Sequence, residues 1–99
     1  MINLCTWNVR GLNDPQKARE IKKFIEINKL QMVGLVETKV RPHNSGKVQK
    51  RLKKGWHWIN NNAASSRGRI WIGWNPVEVM VLGVQAWSKL FIVRWKSLT

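Results

Sequence analysis

Residues 2–37, INLCTWNVRGLNDPQKAREIKKFIEINKLQMVGLVE, decide the fold of this 99-residue chain. They contain two apolar runs, one ending at Asn8 and the other at Glu37, and the spacing between the runs predicts one amphipathic helix. Two strands joined by a crossover helix normally run parallel in one sheet, so their C-terminal ends meet at the same edge. The sequence therefore predicts a βαβ unit that brings an amide and a carboxylate to the edge where α/β sheets bind their ligands.

The predicted helix has a clear start and two distinct faces. Asp14 suits the N-cap because its side chain can accept a hydrogen bond from a free backbone amide, and Pro15 suits the first helical position. Four apolar residues share one face: Ala18, Ile21, Phe24 and Ile25. Four basic residues fall on the other: Lys17, Arg19, Lys22 and Lys23. This pattern predicts an apolar stripe packed on the sheet beneath a solvated, charged face.

The rest of the chain is predicted to form shorter elements. A loop is expected at 42–46 and a short basic helix at 47–54. The patterns also predict strands at 56–59, 69–74, 77–84 and 89–95, a polar loop at 60–68 and a turn at Asn75-Pro76. No linker or repeat divides the chain. We therefore predict one α/β (α+β) domain over residues 1–99, in which a βαβ unit is followed by an antiparallel meander.

The composition indicates a partner with negative charge. Eighteen Lys and Arg against five Asp and Glu give a formal net charge of +13, which favours binding to a polyanion, most often nucleic acid. The single Cys5 excludes an intrachain disulfide and fits a buried thiol. No apolar run is long enough to span a bilayer, and no secretory signal precedes the first strand. We expect an intracellular protein without a membrane partner.

Two features are ambiguous signs of nucleic-acid binding. A run of five cations could contact phosphates or could simply be an exposed helix: Lys47, Lys50, Arg51, Lys53 and Lys54. Seven tryptophans occur, of which Trp56 and Trp58 share a face and could stack on bases. Trp71 and Trp74 fall on opposite faces of one predicted strand, so at least one is expected in the core. Core packing is the better interpretation for most of the tryptophans.

Other kinds of chemical site are excluded by the residues available. One cysteine and two histidines cannot form a structural zinc site. The chain has neither a phosphate loop ending in Gly-Lys-Ser/Thr nor a Gly-x-Ser-x-Gly elbow. The pair that remains is Asn8 with Glu37. Each also has a plainer interpretation, a turn-forming amide for Asn8 and an exposed carboxylate at a strand end for Glu37.

Several segments resemble the endonuclease/exonuclease/phosphatase family, which has the deoxyribonuclease I-like fold. Trp-Asn-Val-Arg-Gly-Leu-Asn at 7–13 and Val-Gly-Leu-Val-Glu-Thr-Lys at 33–39 are most similar to the endonuclease domain of plant LINE-type (non-LTR) retrotransposons. Residues 55–56 and 67–74 match the family's glycine-led strand more loosely. The likeness runs from about residue 2 to 85, and the residues after about 86 diverge from the family pattern.

The resemblance implies a Mg²⁺-dependent phosphodiesterase that nicks DNA, with Mn²⁺ as a substitute metal. Glu37 would ligate the metal and Asn8 would orient the metal and the scissile phosphate, so both are candidate catalytic and metal-binding residues. Mg²⁺ prefers oxygen ligands such as these. Candidate DNA-binding residues are Arg10 and Lys39 beside the pair, together with the five cations of the basic run. The protein would be nuclear where its substrate is chromosomal DNA.

The chain also departs from the family pattern. The family continues with a Tyr, an Asp-x-Asn pair, a further Asp and a C-terminal Ser-Asp-His, whereas this chain has no Tyr and a single aspartate, Asp14. Without a second acid or an acid–His pair, no general base is available to activate water. We therefore expect the N-terminal half of a four-layer α/β sandwich, a truncated domain with weak metal binding and no nuclease activity alone.

One structural expectation follows from this departure, and two alternatives to the enzyme fragment stay open. The open sheet face would need the remainder of the domain or a second chain to cover it. The alternative function is a non-catalytic basic module that binds nucleic acid or another chain. A third alternative is a polypeptide that does not fold stably.

Overall fold

Two helices and six strands make up the described part of the chain in a computed structural model, which covers residues 2–61, 69–87 and 91–98. In chain order they are β1 (Leu4–Asn8), α1 (Pro15–Ile27), β2 (Met32–Val36), α2 (Pro42–Leu52), β3 (His57–Asn60), β4 (Ile70–Trp74), β5 (Val79–Ala86) and β6 (Phe91–Ser97). The predicted mixture of helices and strands is confirmed. The predicted loop at 60–68 lies mostly outside the described residues, as does the start of the strand predicted at 89–95.

The first sheet has the strand order β1-β2-β4-β3. As predicted, β1 and β2 run parallel, with α1 crossing between them, and their register pairs Asn8 with Val36. β4 lies antiparallel to both β2 and β3. The parallel pair is what places the ends of β1 and β2 at one edge of the sheet.

The antiparallel part of the fold differs from one continuous meander. β3 and β4 pair as predicted, and so do β5 and β6, but the second pair forms a separate two-stranded sheet. The predicted turn at Asn75-Pro76 is present and explains the separation. The Asn75 Oδ1 accepts from the Val77 amide at 3.1 Å, and the Asn75 amide donates to the Gln31 carbonyl at 2.9 Å. The first bond closes the turn, and the second ties it to the residue before β2, where the chain leaves the first sheet.

The second helix starts earlier than the sequence pattern predicts. Residues 42–46, predicted as a loop, form the first turns of α2, which ends at Leu52 rather than at Lys54. Pro42 occupies the first turn, where its missing N–H costs nothing. Ser45, Val48 and Leu52 bury one face of the helix. This packing outweighs the weak helix propensity of the Asn44-Ser45-Gly46 segment, on which the loop prediction rested.

The first helix follows its sequence signals closely. The Asp14 side chain accepts from the Gln16 amide at 2.9 Å, and three of the four predicted apolar residues are buried: Ala18, Ile21 and Ile25. Phe24 instead lies at the rim, 37% exposed, with its ring 5.0 Å from that of Trp7. Neither helix of the described residues has the length and apolar content needed to cross a membrane.

The end of α1 offers a test of how this helix is stabilised. The Leu30 amide bonds the Ile25 carbonyl and the Lys29 amide bonds the Glu26 carbonyl, so the helix ends in a Schellman motif. Lys29 adopts φ 50, a left-handed conformation that favours glycine. We expect Lys29→Gly to raise the free energy of unfolding by about 0.5–1 kcal/mol in urea titrations. Lys23→Gly, in the helix interior, should instead lower it by about 1 kcal/mol; equal effects at both positions would contradict this assignment.

Two hydrophobic cores lie on the two faces of the first sheet. One packs α1 and α2 against the sheet and includes Trp71, and the other packs Met32 and Trp74 against Val79 of β5. The prediction that Trp71 and Trp74 point to opposite faces is therefore confirmed, and both are buried. The β5–β6 hairpin covers part of the sheet face that was expected to be open.

Candidate functional site

Asn8 and Glu37 lie at the same edge of the first sheet. Asn8 is the last residue of β1 and pairs with Val36 of β2. Glu37 directly follows Val36. The Val9 amide extends the ladder by donating to the Val36 carbonyl at 2.9 Å. The predicted meeting of the two strand ends is thus present in the backbone.

The backbone at this edge is held in unusual conformations. Arg10, Glu37 and Lys39 have φ values of 50, 59 and 55, in the left-handed region, and Gly11 has φ 104. The loops that follow β1 and β2 are joined by hydrogen bonds from the Gly11 amide to the Glu37 carbonyl (2.7 Å) and from the Leu12 amide to the Thr38 carbonyl (2.8 Å). Left-handed residues other than glycine are costly and concentrate at functional sites. The edge therefore has the backbone character of a binding site.

The two candidate side chains are available to a ligand. Asn8 is exposed and Glu37 is half-buried. Within residues 2–61, 69–87 and 91–98, neither side chain forms a hydrogen bond or an ion pair. Asn8 shares its sheet face with Thr6, whose Cγ2 would lie 3.2 Å from a Cβ added at Gly34. That face is opposite α1 and α2.

Two neighbouring residues at this edge were not predicted from the sequence as site residues. Thr38 is fully buried, and its Oγ1 has no hydrogen-bond partner in the described residues. The Nε atom of half-buried Arg69 is also buried and also lacks a partner there. The Thr38 amide donates to the Arg69 carbonyl at 3.1 Å, which brings Arg69 to the edge. Unpaired buried polar atoms are uncommon and call for an explanation. Their only sequence signal is that Thr38 belongs to the Glu-Thr-Lys motif.

The donor set fits a hard divalent cation but supplies only part of a site. Glu37 offers a carboxylate and Asn8 an amide oxygen, and Mg²⁺ is commonly held by one or two carboxylates with water and substrate phosphate. No group of three His, Cys, Asp or Glu side chains occurs in the part of the chain that the structure describes. The edge thus fits a weak Mg²⁺ or Mn²⁺ site that leaves most positions to water or substrate.

The candidate DNA-binding residues fall into two groups. Arg10 and Lys39 are exposed beside Asn8 and Glu37. The other group lies on or just after α2, where four side chains are exposed: Lys47, Lys50, Arg51 and Lys54. Lys53 differs from these, since its ammonium lies 3.9 Å from the Glu26 carboxylate and 5.9 Å from the centre of the Trp56 ring. Lys53 therefore already has an acidic neighbour and an aromatic neighbour within the protein.

The tryptophan pair that could stack on bases packs partly against the protein core. Trp56 and Trp58 are half-buried against the first core, with ring centres 6.3 Å apart and planes tilted by 36°. The Trp58 ring lies so close to Gly73 that a Cβ added there would be 2.5 Å from it. Core packing, the better interpretation from the sequence, accounts for the buried part of this pair.

Comparisons with known proteins identify the fold. No protein-family model matches the chain, and no curated protein sequence matches it. Among solved structures, the chain is similar to humanized D. rerio TDP2 carrying 14 mutations, with a TM-score of 0.62 and 18% sequence identity. The match covers 85% of this chain and 34% of the TDP2 chain. The deoxyribonuclease I-like fold is confirmed, and this chain spans about a third of its structural neighbour.

Proposed function

We propose that this chain carries the Asn8–Glu37 part of the active site of a metal-dependent DNA phosphodiesterase, of the retrotransposon endonuclease type. The observation that carries the proposal is the in-register parallel pairing of β1 and β2, which ends both strands at one strained edge of a deoxyribonuclease I-like fold. The family resemblance of the segments around Asn8 and Glu37 supports DNA as substrate, with the nucleus as the place of action.

Each residue of the edge has a distinct chemical task in this proposal. The Glu37 carboxylate holds Mg²⁺, which when bound would stabilise negative charge on the phosphate and on the leaving oxygen. The Asn8 amide orients the scissile phosphate. Arg10 and Lys39, exposed beside the pair, neutralise the neighbouring backbone phosphates.

The general base is the missing group. Four acids other than Glu37 occur in the chain. Asp14 caps α1, and Glu20 is exposed on the same helix. Glu26 pairs with Lys53, and Glu78 accepts from the Asn75 side chain at 3.4 Å. No histidine forms an ion pair with an acid in the described residues. Because water must be activated by a titratable group within hydrogen-bond reach, we infer that these 99 residues bind metal and phosphate but do not cut DNA unaided. The remainder of the domain or a second chain would supply the base and cover the rest of the sheet.

The proposal is tested by metal-dependent DNA binding and nicking. Mg²⁺ normally weakens protein–DNA binding because it competes for phosphates. If Glu37 holds the metal, Mg²⁺ should instead strengthen binding of the native protein to a short duplex oligonucleotide. In Mg²⁺ the native protein should bind about tenfold more tightly than Glu37→Gln, a difference of about 1.4 kcal/mol. Supercoiled plasmid should remain intact with either protein in Mg²⁺ or Mn²⁺. Identical responses of the two proteins to Mg²⁺ would refute the metal site, and nicking that Glu37→Gln abolishes would refute the inferred inactivity.

The second candidate function is a non-catalytic basic module that binds nucleic acid. It is favoured by the absence of a three-acid cluster in the described residues and by the exposed cations of α2. This candidate predicts DNA binding that depends strongly on salt but not on Glu37. Comparing the native protein with Glu37→Gln in Mg²⁺ therefore separates the two functions.

A further inference from the structure

A groove between α1 and α2 carries an excess of positive charge. Its volume is about 460 Å³, and it is lined by Pro15, Ala18, Arg19, Lys22, Lys50 and Arg51. Ala18 is buried and belongs to the floor, whereas the four cationic residues are exposed. The groove joins two sets of residues that lie far apart in sequence, the basic face of α1 and the end of α2.

Within residues 2–61, 69–87 and 91–98, no acidic side chain forms an ion pair with the four cations of this groove. The one acid–base pair found in the described residues joins Lys53 to Glu26, and neither of these lines the groove. The Arg19 Nη2 donates to the Gln16 Oε1 at 2.8 Å, so a neutral group positions this guanidinium without cancelling its charge. Like charges that converge without counter-charges destabilise one another and attract an anion.

The groove starts close to the candidate metal edge. Pro15 lines it and follows directly on Asp14, and the preceding Asn13 donates through Nδ2 to the Lys39 carbonyl at 3.0 Å. The loop that carries Arg10 therefore leads into the groove, and the loop that carries Lys39 is hydrogen-bonded to it. A chain of repeating phosphates is the ligand that could contact both places, because its charges recur along an extended backbone.

We propose that the groove between α1 and α2 binds the phosphodiester backbone of a nucleic acid, through Arg19 and Lys22 on one side and Lys50 and Arg51 on the other. This proposal rests on the proposed nucleic-acid partner but not on the metal chemistry. The groove contacts phosphates and not the edges of the bases, so it adds affinity for nucleic acid of any sequence.

The test removes the same number of charges inside and outside the groove. The groove variant is Arg19→Gln/Lys22→Gln/Lys50→Gln/Arg51→Gln, and the control is Lys23→Gln/Lys29→Gln/Arg94→Gln/Lys96→Gln, all at exposed positions. Glutamine has nearly the helix propensity of lysine and arginine, so the helices should persist; thermal unfolding of both variants verifies this. Binding of a duplex oligonucleotide is measured in EDTA over a series of salt concentrations, so a failed metal site cannot affect the result.

The expected result is a change in the salt dependence of binding. The slope of log K against log salt should become shallower by about 0.9 for each phosphate that is no longer neutralised, which is about 2–4 in the groove variant and less than about 1 in the control. Amide shifts of the native protein on adding the oligonucleotide should centre on residues 16–22 and 50–52. Equal slopes for the two variants would overturn the proposal, and so would shifts confined to other parts of the molecule.

Discussion

Trp71→Ala should lower the free energy of unfolding by about 3–5 kcal/mol, the range for removing a fully buried tryptophan. Trp71 is 0% exposed on β4, the strand that pairs with both β2 and β3. Its ring packs edge-on against Trp58, with centres 6.0 Å apart. Because a domain of this size is stable by only about 5–15 kcal/mol, this one change should remove a large share of the stability.

Trp87→Ala is the matched control for this prediction. Trp87 is 48% exposed just after the end of β5, so its removal should change the free energy of unfolding by about 0.5 kcal/mol or less. Urea unfolding followed by far-ultraviolet circular dichroism measures both variants without relying on tryptophan emission. A cost below about 1 kcal/mol for Trp71→Ala would show that β4 does not anchor the core as described.

Glu37→Gly should be more stable to unfolding than Glu37→Ala, although both variants should lose affinity for the metal. At φ 59 glycine avoids the steric cost of a Cβ, so we expect Glu37→Gly to be about 1 kcal/mol more stable than Glu37→Ala. Both variants lack the carboxylate and should lose Mn²⁺ affinity by about tenfold or more, since even residues around a metal's ligands contribute that much. Urea titration and Mn²⁺ titration monitored by electron paramagnetic resonance measure the two quantities.

Lys39→Gly is the control that keeps the carboxylate. Lys39 has φ 55 at the same edge, so Lys39→Gly should relieve the same kind of strain and retain Mn²⁺ affinity. If Lys39→Gly lost the metal as completely as Glu37→Gly does, the carboxylate would not be the ligand. If Glu37→Gly were less stable than Glu37→Ala, the left-handed conformation of this residue would be wrong.

The βαβ unit could be predicted from the sequence because its signals are local. Asp14 and Pro15 mark the start of α1, and the apolar run before Glu37 matches a strand covered on both faces. The parallel pairing of the two strands then follows from a general rule of chain connection. For this reason the sequence alone could assign Asn8 and Glu37 to one edge of the sheet.

The remaining features depend on contacts that are distant in sequence. β4 lies between β2 and β3, and the chain leaves the first sheet after Asn75, so that β5 pairs in a second sheet. The apolar pattern of a strand predicts neither arrangement, because it does not indicate which strand will be its neighbour. The basic face of α1 has the pattern of an ordinary solvated surface. Arg19 and Lys22 are recognised as part of a cationic groove only in the folded structure, where α2 brings Lys50 and Arg51 beside them.

The central claim, a divalent cation held at the edge shared by Asn8 and Glu37, is tested most directly by paramagnetic line broadening. Small amounts of Mn²⁺ added to ¹⁵N-labelled protein should selectively broaden the amide signals of residues 8–11 and 37–39 and spare those of the β5–β6 hairpin. The same titration of Glu37→Gln should leave residues 8–11 sharp. Broadening centred elsewhere, or broadening unchanged in Glu37→Gln, would contradict the claim.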